Sequence, residues 1–409
     1  MKWCWPPTKC TQEALGARFL VVATAAAAEA GRSLQFQELD FGCIPWAAAK
    51  SGGELSMRIL VATDWIGVLS SRQAGEVIAA SWPPSAEISV LPIGDAGAGF
   101  ATAYADLAGL TTSTQVTDGV IVTTCQSPGI GLVQALGSPS GVGIPYQESS
   151  RPIGEAIAAM VSSEPRPSRI LIDLAGLRVH DAGAGLLAAL GAVADRPLDQ
   201  GVEGLNGLSQ LDLALARALL ADTELVGVVP AAQLGQPLLG LRGITARVGQ
   251  EANAPPELML RTDATLETFA RLASSTYSAM PGAGACGGLG FAVLALGGRL
   301  STGPALALAS SQAKTGLRAV DLVVTGCSVF DFASRGGGVV AAMAEAASAA
   351  LSPGIVIAGE VVIGSREMRT MGIEAAYAVR ESVLDDPRGN VSEEELATTA
   401  ARVARSWTW

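Results

Sequence analysis

MRILVATDWIGVLSSRQAGEVIAA, residues 57–80, decides the fold class. Arg58 to Asp64 is a short apolar run of the buried-strand kind that ends in an acid. Ser70 or Ser71 then offers an N-cap for a helix through about Ala80. The unit repeats at once. Ile88 to Asp95 is a second strand, again ending in Asp, and a helix runs from about Ala98 to Leu110. A strand–helix–strand–helix opening implies a parallel sheet with right-handed crossovers.

The middle section, 113–280, is less regular. It predicts a strand near 119–124, a helix near 150–162, a strand from Arg169 to Leu174, a strand from Glu224 to Pro230 and a helix around 256–276. The last third returns to plain α/β. Pro281–Gly290 opens an apolar helix to about Gly297, and Asp321–Thr325 is a strand. A helix over 338–351 follows, then the strand Gly354–Gly359 and a short strand at Ala375–Val379. Ser392 to Glu395 is a capping box for the final helix.

Residues 1–56 read differently, with Trp3, Trp5, Trp46 and most of the lysines. Arg18 to Ala28 has the form of a basic segment leading into a short apolar one, as in a secretory signal. The other reading is an N-terminal extension, disordered or upstream of a true start at Met57. No apolar run reaches the length that spans a membrane.

The chain has 409 residues, 49% of them apolar and 5% aromatic, and a formal net charge of -11. That balance argues against a nucleic-acid or anionic-membrane partner, since both need a basic face, and suits a cytoplasmic protein. The lysines are Lys2, Lys9, Lys50 and Lys314, so the body of the chain has one. Any anion handled there must be met by arginine, backbone N–H groups, helix N-termini or a metal ion. The six cysteines fit neither a zinc site nor a disulfide framework. His180 is the only histidine and no G-x-S-x-G elbow exists, which counts against triad hydrolases.

Four loops follow strands and carry an Asp among glycines: residues 63–71 with Asp64, 94–100 with Asp95, 177–185 with Asp181, and 325–338 with Asp331. An Asp at such a strand end can hold Mg²⁺, accept a hydroxyl proton or cap the next helix. PGAGACGGLG, 281–290, is the densest glycine cluster. It reads either as a phosphate-approaching turn or as a tight turn where a helix packs flush on a sheet. His180 reads as a base or as a hydrogen-bonded loop residue.

PGAGACGGLGFAVLALGGRLSTG (281–303) resembles the PGAGAAGGLG segment of the bacterial glycerate kinase family of the glycerate 2-kinase type. Residues 58–71 resemble that family's opening strand and D-S-F-K-G-S-L-S loop, and GDAGAGF (94–100) its A-D-G-G-E-G-T. LAGLRVHDAGAGLLAALGA (174–192) is similar to G-L-G-G-S-A-T-N-D-G-G-A-G, and PLLGLRG to N-P-L-L-G-P-x-G. LVVTGCSVFDFASRGGG (322–338) is similar to ITGEG-x-x-D-x-Q-[ST]-x-x-GK.

The resemblance implies two α/β domains with a cleft between them. One is Rossmann-like, built from both chain ends (57–112 and 281–409), and the other is an inserted mixed α/β domain (113–280). It implies phosphoryl transfer from ATP with Mg²⁺ to D-glycerate or a related small hydroxy acid. The partners would be a nucleotide and that acid. Under it, Asp331, Asp181 and Asp64 are the expected catalytic residues, with Asp331 and Asp181 as metal ligands. Gly282, Gly284, Gly287, Gly288, Gly326, Ser334 and Arg335 would meet the nucleotide, and Asp95, His180 and Arg242 the acid.

Several cationic and acidic positions of the pattern are replaced. The first-loop lysine is gone, the second-loop Glu is Ala98, S-A-T-N has become Leu177–His180, and the signature's Glu, Gln and Lys are Cys327, Ala333 and Gly338. A catalytically inactive relative that binds or regulates is therefore the alternative expectation.

Overall fold

The computed structural model of the chain describes residues 56–117, 119–137, 143–380 and 391–408. The expectations for the N-terminal extension lie outside the described residues, Ser56 excepted. Five strands form a wholly parallel sheet in the order Ile373–Ala378, Gly354–Ala358, Leu322–Gly326, Arg58–Thr63, Glu87–Val90. Its strands therefore come from both ends of the described chain. The alternation of the Arg58–Thr63 strand sends Ile59 and Val61 to one face and Leu60 and Ala62 to the other. The first pair packs with Ile78, Leu396 and Val403, and the second with Val339 and Met343. With helices on both faces this sheet has no polar side, as buried parallel strands require.

The second sheet has six strands in the order Arg299–Ser301, Glu224–Val228, Arg169–Asp173, Gly131–Leu136, Val120–Gln126, Ser113–Thr117. The first four run parallel and the last two turn back as antiparallel strands. This is the mixed α/β part of the expected fold. Residues 283–301, grouped by sequence with the first sheet, pack into the second. Ala283, Phe291 and Val293 are fully buried in its core, and Phe291 meets Phe269 edge-on at 6.1 Å.

Local chemistry explains the element ends. Ser70 caps the helix Ser71–Ala80 in a capping box with Gln73. Ser71 is instead a buried strut: its hydroxyl donates to the Thr63 carbonyl (2.7 Å) and accepts from the Ile93 N–H (2.8 Å). The second strand stops at Val90, short of the expected Asp95. Leu91 still donates to the Val61 carbonyl at 2.8 Å, but Pro92 has no N–H to donate and the Ile93 N–H turns to Ser71, so the ladder ends there. The Ser392 capping box forms as expected at the helix Glu393–Trp407. Among the described residues, no helix is long and apolar enough to cross a membrane.

The glycine cluster is a packing device. Gly287 has φ 70°, and a β-carbon on it would overlap the Val179 carbonyl oxygen. Gly240, by contrast, has φ 83° with open space around it. Gly287→Ala should therefore cost about 3 kcal/mol against about 1 kcal/mol for Gly240→Ala, the excess being overlap rather than backbone strain. Urea unfolding of both variants checks this; equal losses would mean that the cluster does not pack as described.

Candidate active site

Parallel strands deliver their carboxyl ends to one edge, which is where open α/β sheets bind ligands. Asp64 leaves the Arg58–Thr63 strand with its N–H on the Gly326 carbonyl (2.9 Å) and its carboxylate accepting the Trp65 N–H (2.9 Å). Asp95 stands on the next loop and accepts the Ala96 N–H at 2.9 Å. From the second sheet comes Asp173, fully buried at the end of its strand. Its carboxylate accepts the Gly97 N–H (2.9 Å), the Gln134 amide (2.6 Å) and the Ala175 N–H (3.0 Å). Gln134 also donates to the Gly97 carbonyl at 2.7 Å. Gly97 belongs to the Asp95 loop, so this contact locks that loop onto the second sheet.

The result is a line of three carboxylates. Burial pushes Asp64 up to about 7; the Trp65 amide opposes this and the charge of Asp95 adds to it. Burial pushes Asp173 up to about 6 against the pull of Gln134 and two backbone amides, again with Asp95 adding. Asp95 is itself raised, chiefly by burial. No ion pair among the described residues reaches any of the three.

A cavity of about 680 Å³ opens beside this line in the first sheet, bordered by Asp64, Trp65, Cys327, Ser334, Gly337 and Gly338. The helix Gly338–Ala349 begins there with no side chain capping it. A β-carbon on Gly338 would lie 3.6 Å from an Asp95 oxygen, so this turn faces the acid directly. A second cavity of about 630 Å³ opens at the carboxyl edge of the second sheet, bordered by Ala175, Arg178, His180, Gln233 and Cys286.

The other expected residues fall in different places. Asp181 is 0% exposed. It accepts bonds from the Ser150 N–H and hydroxyl and from the Gly183 and Gly185 N–H groups, at 2.8–3.1 Å. With both oxygens holding its own loop, it has no face for an ion, which corrects the expectation of a metal ligand and base. Asp331 caps the turn Phe332–Gly336 through Ser334, and its charge reaches the Cys327 thiol beside Asp64. Arg335 is exposed and stacks on Phe332 at 5.2 Å, outside the Asp64 cavity. Arg242 is exposed and borders neither cavity. His180 is buried with Nε2 on Thr245 Oγ1 (2.9 Å), and burial lowers its pKa to about 4, with Arg247 adding.

The glycines of the 281–290 cluster approach protein atoms, not an open space. A β-carbon at Gly282 would meet Leu300, at Gly284 the Pro237 carbonyl, and at Gly288 Ala182. Gly326 likewise lies against the Ile357 carbonyl. Sequence reading passed over Asp173. Its signal was available, since its strand ends in Asp as the Arg58–Asp64 run does and Gly176 follows it at the spacing of Gly67 after Asp64.

Two α/β halves with a carboxylate-lined edge and flanking cavities define a small-molecule-handling class. The profile of the glycerate kinase family matches residues 59–408. An uncharacterised protein of Mycobacterium bovis is 32% identical, covering 80% of this chain and 85% of its own length. A Bacillus subtilis protein named glycerate kinase is 28% identical, covering 79% and 90%. A crystal structure described as glycerate kinase 2 from Salmonella typhimurium LT2 superposes with a TM-score of 0.70 at 24% identity, covering 86% of this chain and 98% of that one. This chain belongs to the glycerate kinase family.

The Asp64 shift has a stability consequence. The folded chain keeps the proton up to about 7, whereas an ordinary carboxyl releases it near 3.8. Its contribution to stability is complete below pH about 4 and is lost as pH rises through about 7. Asp64→Asn cannot ionise. It should raise Tm at pH 8 by at least about 2 °C and leave Tm at pH 4 nearly unchanged. A scanning calorimetry series from pH 4 to 8 reads this; a variant that is less stable at pH 8 would contradict it.

Proposed function

We propose that this chain transfers the γ-phosphoryl group of ATP to a hydroxyl of D-glycerate or a related small hydroxy acid. The products are a phosphoglycerate or its analogue, ADP and a proton. The observation that carries the reading is the placement of Asp64, a carboxyl at a strand end that borders a cavity of nucleotide size and lies within electrostatic reach of a second acid, Asp95. A carboxylate that titrates near neutrality suits removal of a hydroxyl proton.

The residues fit Mg²⁺. Among the described residues no three His, Cys, Asp or Glu side chains gather as a metal cage. Mg²⁺ in phosphoryl-transfer sites is held by one or two carboxylates plus phosphate oxygens. Asp95 would supply one such carboxylate, leaving Asp64 free as the proton acceptor. When bound, the ion would neutralise charge on the transferring group.

The chain's own groups do the rest. The uncapped N-terminus of the helix Gly338–Ala349 presents N–H groups and a dipole to phosphate, in place of the missing lysine. Trp65 covers one wall of the nucleotide cavity. Asp173 holds the Asp95 loop in position through Gly97. Asp64 accepts the acceptor's proton as the new P–O bond forms and the bond to ADP breaks.

Purified protein with ATP, Mg²⁺ and D-glycerate should release phosphoglycerate, followed by phosphorus NMR. Asp64→Asn should lower turnover by about 10²–10⁴-fold while remaining folded. No product from folded parent protein with any small hydroxy acid would overturn the reading.

A further inference from the structure

We propose that the 630 Å³ cavity on the second sheet is a carboxylate subsite in which Arg178 and Arg247 clasp the acid group of the acceptor. The identity of the acid as a phosphoryl acceptor rests on the reading above; the subsite itself does not. Arg178 projects from the loop after the Arg169–Asp173 strand, and Arg247 from the helix Ile244–Glu251. Both border one cavity.

Their charge is poorly satisfied. Arg247 pairs with Glu251 through one terminal nitrogen (3.1 Å), and its side chain is 40% exposed, which leaves its other terminal donors within reach of the cavity. Arg178 donates to the Gly143 carbonyl, which carries no charge. A guanidinium has five N–H donors, so each keeps several for a ligand. Within the cavity, two guanidiniums face one carboxylate, Glu251, and His180 is unprotonated near neutrality. The net charge is positive, and paired guanidiniums match a carboxylate in geometry as well as sign.

The cavity also leads to the carboxylate line. Ala175 borders it and donates to Asp173. Cys286 borders it too and lies within electrostatic reach of both Asp173 and Arg247. The acid-binding cavity therefore shares a wall with the loop that holds Asp173. Arg178 and His180 occupy the loop where the family pattern has S-A-T-N, so this grip is a property of this chain's own residues.

Titration calorimetry of D-glycerate, and separately of L-tartrate as a larger acid, into full-length nucleotide-free protein tests the subsite. Arg178→Met and Arg247→Met should each weaken the binding of D-glycerate by about tenfold or more, and Arg247→Lys should recover part of the loss. The exposed Arg247–Glu251 pair adds little stability, so the Arg247 variants should fold, as circular dichroism would verify. Arg402→Met, on the final helix, should bind as the parent does. Unchanged affinity in both Met variants, or a parent that binds neither acid at about 10 mM, overturns the proposal. Arginine-dependent binding without any phosphorylated product leaves the subsite standing and removes the kinase reading. Product formed with unchanged KM in the Met variants does the reverse.

Discussion

Asp173 is the joint of the molecule. One buried carboxylate accepts a backbone N–H from the first sheet's second loop, an amide from Gln134 on its neighbouring strand, and the N–H of Ala175 two residues on. A buried charge is tolerated when it is this fully hydrogen-bonded, and losing a partner would leave an expensive orphan. The contact sets where residues 94–100 lie. That in turn places Asp95 so that its charge reaches both Asp64 and Asp173.

The cost of that arrangement is electrostatic. Three acids share one edge and the described chain contains one lysine, Lys314, on a remote helix. The site therefore opposes the stability of the empty protein, as sites built for charged ligands commonly do. The groups that can offset the charge are of two kinds. On the first sheet they are backbone N–H groups at the start of the helix Gly338–Ala349. On the second they are guanidiniums, Arg178 and Arg247. This division suits a phosphate on one side and a carboxylate on the other, with the acids between.

Much of the fold was legible because its signals are local. The strand at 58–63 is continuous and apolar, Ser70 and Ser392 cap their helices, and the first sheet follows from the α/β alternation, whereas the strands Gly131–Leu136 and Arg299–Ser301 of the second were not read. The hairpin over 113–126 was only half seen. Its first strand, Ser113–Thr117, is polar and wholly exposed, so it carries no apolar alternation to read. The site was harder because its cues were ambiguous. Asp181 sits among glycines like an active-site acid, yet those glycines are there to donate their N–H groups to it. The 281–290 cluster looks like a phosphate turn, yet Gly287 and its neighbours make room for backbone from the 177–182 loop and the 234–238 segment. Arg247 was invisible, because a helical arginine four residues before a glutamate reads as an ordinary surface pair.

The central claim is that burial at the carboxylate edge, with the Asp95 charge adding to it, holds Asp64 poised near neutrality. Carbon-13 NMR of labelled aspartate carboxyls, titrated from pH 3 to 9 in the parent and in Asp95→Asn without nucleotide, measures it directly. The account predicts that Asp64 titrates near 7 in the parent and stays well above 3.8, though lower than in the parent, once the Asp95 charge is removed. A carboxyl titrating at the ordinary value near 3.8 in both proteins would contradict it.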